Sequence, residues 1–211
     1  MNTFEKNAGF SLIAGAILLV ITMVVHPTGI EDGYTVINVV AHSIAIAAIP
    51  FCLFGFWGVY RHFKIGDFLS GIAFSAIAAG LFAGLLAATI NGLAFSFFME
   101  RYQDASTESG ELVHAILDYS FALNNGLSYV FIGMLSGAVL FWSIAIIRTR
   151  TFPKWTGYYG LLLVTLVLIL FHTHFNFMHV GGFSIIIFGL VSLIVSIGYF
   201  MINPKNKTNN N

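Results

Sequence analysis

The chain has 211 residues, 58% of them hydrophobic and only 9% charged, and its 9 basic and 9 acidic residues leave no net charge. A water-soluble domain carries about 25% charged residues, so this chain could not cover a water-facing surface, and its neutral balance gives no reason to expect a nucleic-acid partner. The single cysteine, Cys52, excludes an internal disulfide and a cysteine-based zinc or iron–sulfur centre.

The composition predicts a polytopic protein that lives in a lipid bilayer, with apolar spans of about 20 residues each. The first span is expected over 9–26. A polar start precedes it, and it ends at His26-Pro27. Only Lys6 is basic ahead of it and no small-residue cleavage site follows, so the sequence reads as a retained span, not a removed leader. Pro27, Gly29 and Gly33 mark a loop that holds Glu31 and Asp32.

The second span is expected over 36–60, with His42 near its start and Ser43 beside it. The third, 68–99, carries Asn91 in its later part, and Gly80 and Gly84 have the spacing that lets helix backbones approach closely. A hydrophilic run, Glu100 to Glu111, leads to a long fourth span over 112–147. Its front part holds His114, Asp118, Asn124 and Asn125. The fifth span, 157–175, changes character abruptly at its end, where His172-Thr173-His174-Phe175-Asn176-Phe177-Met178-His179 follows an apolar run. Gly181 and Gly182 make a turn, the sixth span covers 183–202, and a polar tail, 203–211, is expected to lack fixed structure.

Basic residues set the orientation of such a protein. Lys6, Arg61, Lys64, Arg148, Arg150, Lys154, Lys205 and Lys207 fall on one side of a six-span arrangement, and Arg101 on the other. The expected fold is therefore one all-α transmembrane domain, a six-helix bundle in the cell (inner) membrane with both termini cytoplasmic.

This topology brings polar groups to one depth. All the histidines except His62 fall towards the outer side, together with Asn91, Asn124 and Asn125. His114 and Asp118 are four apart and share a helix face. His172 and His174 point about 200° apart on a regular helix, so both reach one centre only if the helix unwinds.

Imidazole is the commonest metal ligand, and a carboxylate in lipid is costly unless paired. These residues therefore point to a metal centre with His26, His42, His114, His172, His174 and His179 as candidate ligands. Asn91, Asn124 and Asn125 would orient the ligands or bind substrate.

The expected metal is zinc, whose bound water serves hydrolysis of a lipid-like or small apolar substrate. Asp118 would act as general base or further ligand, and Ser43 as a donor to the reacting group. Two alternatives stay open. One is a redox protein, with b-type haem between two histidines or copper held by His172, His174 and Met178. The other is a transporter or accessory subunit without enzymatic activity. Taken singly, each polar residue is also explained by the tolerance of the membrane interface for His and Asn. The sequence does not reveal the oligomeric state.

Overall fold

Backbone in a hydrocarbon environment must satisfy its own hydrogen bonds, and long apolar stretches therefore fold as helices. The protein, described here from a computed structural model, follows this rule over residues 3–26, 36–63, 67–102, 107–172 and 180–203 (side chains of 107–109 and 180–184 excepted). Those residues are helical almost throughout, with no strand among them.

The helices are α1 (Thr3–Val25), α2 (Val36–His62), α3 (Phe68–Ala88), a π-helical segment (Thr89–Ala94), α4 (Phe95–Tyr102), α5 (Thr107–Thr149), α6 (Lys154–His172) and α7 (Val180–Ile202). With α3, the π segment and α4 taken as one continuous rod, 6 helices are long and apolar enough to cross a membrane. The protein is thus an all-α, six-helix membrane bundle.

Several helices run past the apolar stretches that reveal them. α1 starts at Thr3 and takes Glu5 and Lys6 into its first turns. α5 has 43 residues, about 64 Å at ~1.5 Å per residue, roughly twice the ~30 Å hydrocarbon thickness. Polarity marks where lipid ends, not where a helix ends. α3 is capped by Asp67, whose carboxylate accepts from the Ser70 amide at 3.0 Å. α5 is stopped by Arg150 in a left-handed conformation (φ 55°).

Each helix packs on its neighbour in sequence: α1 on α2, α2 on α3, α3 on α5, α5 on α6 and α6 on α7. α7 in turn packs on α1, which closes the ring. Small residues set the tightest seams. A Cβ added at Gly58 would overlap that of Ala8, and one added at Gly15 would lie 2.6 Å from Cys52 Sγ. Between α7 and α1, a Cβ added at Gly9 would lie 2.8 Å from the Gly198 carbonyl oxygen, and one added at Gly198 would lie 3.0 Å from the Gly9 carbonyl oxygen. On the far side, Trp142 of α5 donates its indole N–H to Ser70 Oγ of α3 at 3.1 Å, and its ring stacks on Phe56 of α2 at 5.4 Å.

One end of the bundle carries the starts of α1, α3 and α6 and the ends of α2, α5 and α7. His62 meets Glu5 there at 3.1 Å and its ring lies 5.0 Å from Phe152. The Arg61 guanidinium sits 4.7 Å over the Phe4 ring. Lys6, Arg61, Arg148, Arg150 and Lys154 all belong to this end. The opposite end carries His26, His42 and the helical rods that precede and follow the 103–106 connection.

Candidate functional site

The centre of the site is built by α2 and the π segment. Asn38 and His42 are one turn apart on α2, and both are buried, with 7% and 5% of their surface exposed. The π segment, 89–94, carries Asn91 and Gly92 past them. Its backbone comes so close that any Cβ on Gly92 would overlap the Cβ and Cγ of His42. Glycine is the residue that fits this crossing.

A π turn widens the helical hydrogen-bond pattern to i→i−5, as between the Phe95 amide and the Ile90 carbonyl. Asn38 adds a side-chain donor to this segment. Its side-chain amide donates to the Asn91 carbonyl at 3.2 Å, the Gly92 carbonyl at 3.5 Å and Ser96 Oγ at 2.9 Å. Ser96 is fully buried. A buried polar group without a partner would cost roughly 1–3 kcal/mol, so this network fixes the π segment against α2.

His42 is fixed in turn. Its Nδ1 lies 2.8 Å from the Asn38 carbonyl. A carbonyl oxygen only accepts, so Nδ1 carries the proton and the lone pair of the neutral ring sits on Nε2. Nε2 faces the Asn91 side-chain amide at 3.4 Å, which is longer than a well-formed N–H donor bond. The His26 ring, at the end of α1, lies 5.0 Å from the His42 ring at an angle of 57°.

His26, His42 and Asn91 line one end of a cavity of about 250 Å³. α1, α2, the α3–π rod, α5 and α7 all contribute to its wall, and on four of them the order of side chains is the same. On α2 it runs from His42 through Ala45 and Ile49 to Cys52 and Phe56. On the third helix it runs from Asn91 to Gly84 and Leu81. On α5 it runs from Asn124, Asn125 and Ser128 to Phe131 and Leu135, and on α1 from His26 to Leu19. Polar residues share one level and apolar residues fill the depth. No carboxylate, lysine or arginine lines the cavity among the described residues.

The sequence-derived candidates divide accordingly. His26, His42, Asn91, Asn124 and Asn125 all line the cavity. His114 and Asp118 lie on an exposed part of α5, outside the cavity lining. Ser43 is exposed and points away from the lining, since it follows His42 on the helix. His172 ends α6 and is exposed. His174 and His179, with Asn176 and Met178, lie outside the described residues. Among the described residues no three His, Cys, Asp or Glu side chains converge as a metal-binding group.

Sequence reasoning passed over Asn38, Gly92 and Ser96, the residues that hold the centre together. Asn38 sits four before His42, the spacing of one helix face, and an Asn in an apolar span was the available signal. Gly92 and Ser96 carried none, because glycine and serine are common in membrane helices for packing alone. Comparison of the chain with protein-family models, with curated proteins and with solved structures returns no match.

Proposed function

We propose that this is a membrane binding protein whose cavity opens to the extracytoplasmic side and receives the polar part of a small ligand. The extracytoplasmic assignment rests on the basic residues at the opposite end of the bundle. One observation carries the reading: His42 lines the cavity with its Nδ1–H held by the Asn38 carbonyl, which leaves Nε2 as the acceptor, approached at 3.4 Å by the Asn91 amide. A ligand hydroxyl or amide N–H donates to Nε2, and the Asn91, Asn124 and Asn125 amides supply donors and acceptors beside it. A concave, mostly apolar site with a few convergent polar groups is the usual form of a small-molecule site.

The test uses short uncharged alcohols and amides as probes, with thermal unfolding as the readout. Ligand at 100 times its Kd stabilises the folded protein by about 2.7 kcal/mol, a rise of several degrees. The expected result is a rise in wild type that is lost in His42→Ala. No response to any probe, or an equal response in the variant, overturns the reading.

A second reading is a metal centre, zinc first and haem or copper as alternatives, and a specific feature favours it. A metal-ligating histidine usually donates its other ring N–H to a carbonyl or carboxylate, as His42 does to Asn38, and His26 is its neighbour. A zinc site needs about four ligands. His26 and His42 would supply two, and water, an Asn oxygen, His174 or His179 the rest. A hydrolytic role would draw on metal-bound water, with Asp118 and Ser43 brought in only by movement of α5 and α2. Elemental analysis and a visible spectrum of detergent-purified protein decide: stoichiometric metal lost in His42→Ala establishes this reading, and metal-free wild type ends it.

A further inference from the structure

The polar end described above accounts for only the top of the cavity. The wall runs on from His42 to Phe56, about 21 Å along α2 at ~1.5 Å per residue, which is past the midplane of a hydrocarbon layer ~30 Å thick. Below the level of Asn91 and Ser128 the lining is Leu, Ile, Val, Phe, Met, Ala, Gly and one Cys, with a single buried Thr22 whose hydroxyl is spent on the Leu18 carbonyl. A dry apolar shaft under a polar rim matches a molecule with a hydrocarbon tail and one polar head.

The chemistry of the rim narrows the head group. A buried carboxylate, phosphate or ammonium needs a charged partner, and no charged side chain lines this cavity among the described residues. Imidazole and carboxamide groups satisfy a hydroxyl or a carbonyl without one. The size narrows the tail. The volume of about 250 Å³ holds about eight groups of water or methylene size, at ~30 Å³ for each.

Resting on the binding reading above, we infer that the ligand is a neutral single-chain amphiphile of medium length, a hydroxyl- or carbonyl-headed chain of about eight carbons, held head-up at His42 with its tail running down the shaft towards Phe56. A rim with no charged side chain among the described residues disfavours phospholipids and fatty-acid anions. The small residues Gly84, Ala87 and Ala88 on one wall and Ala45 on another leave the width that the chain occupies.

The shaft has its own reporter. Phe56 forms part of its floor and stacks on Trp142, which is 4% exposed and so shielded from bulk lipid. In the background Trp57→Phe/Trp155→Phe, Trp142 is the remaining tryptophan. An alcohol of about eight carbons with a terminal bromine, added to the detergent-solubilised protein, carries the heavy atom down the shaft towards Phe56 and quenches Trp142 emission saturably.

Quenching is expected to weaken at least tenfold in apparent affinity in His42→Ala and to vanish in Ala45→Phe, which fills the shaft and leaves the rim residues in place. The matching bromo-carboxylate is expected to bind at least tenfold more weakly. Equal quenching in Ala45→Phe means partition into detergent and overturns the inference. Equal affinity of alcohol and carboxylate overturns the neutral-head assignment. If short alcohols stabilise the protein through His42 but the brominated chain never reaches Trp142, the tail assignment fails while the binding reading stands. If neither probe acts through His42, both fail.

Discussion

Gly92 shows how far one residue can govern this molecule. Its missing side chain is what allows the π segment to lie against His42. Gly92→Leu forces the imidazole or the π segment to move, and overpacking of this kind costs about 1–3 kcal/mol. The control is Gly126→Ala, where nothing lies within 4 Å of an added Cβ and the change should stay within about 0.5 kcal/mol. Thermal unfolding of both variants in one detergent checks the contrast, and a Gly92 variant as stable as the control would remove the close crossing.

At this scale the sequence was only partly legible. His42 and Asn91 announce themselves as polar residues in apolar spans, and they do meet. Gly92 does not, because its importance lies in what another helix places against it.

At the scale of the element, the π segment decides which way the outer part of the third helix faces. A widened π turn absorbs one extra residue, which in a regular α-helix would rotate everything beyond it by about 100°. Asn91, Gly92 and Ser96 face α2 with that turn in place. Inserting one alanine after Leu85, in the regular helix before the segment, should turn the three residues away from Asn38 and His42. The variant should still fold, since α3 keeps its packing on α5 and Trp142 keeps Ser70. Its thermal response to short alcohols should be lost, and a full response would show that the register is unimportant.

Apolar length revealed the helices themselves. It could not reveal the π turn, which differs from regular helix by hydrogen-bond pattern and not by residue type. Nor could it show that α5 holds His114 and Asp118 clear of the cavity. Their spacing gives a shared face, but a shared face does not say which way the face points.

For the whole molecule, the ring order follows from chain order, and short connections between antiparallel spans leave few other arrangements. The closure of α7 onto α1 was not legible in this way. It depends on Gly9 and Gly198 meeting, which is a long-range match between two small residues in stretches where small residues are frequent. The cavity was legible as a polar layer at one depth, because span boundaries and helical rise place residues along the membrane normal. Its apolar shaft was not, because a lining residue and a lipid-facing residue look alike in sequence.

Ring closure has a consequence for how the chain can be cut and rejoined. The beginning of α1 and the finish of α7 are neighbours on one face, as is the 150–153 connection between α5 and α6. A circular permutant that starts at Lys154, threads a flexible linker from the finish of α7 to the beginning of α1, and stops after Thr151 would cross the bilayer in the same sense at every helix. It should insert, fold and keep its thermal response to short alcohols, and a permutant that inserts yet unfolds in mild detergent would show that the seam between α1 and α7 is not a true joint of the ring.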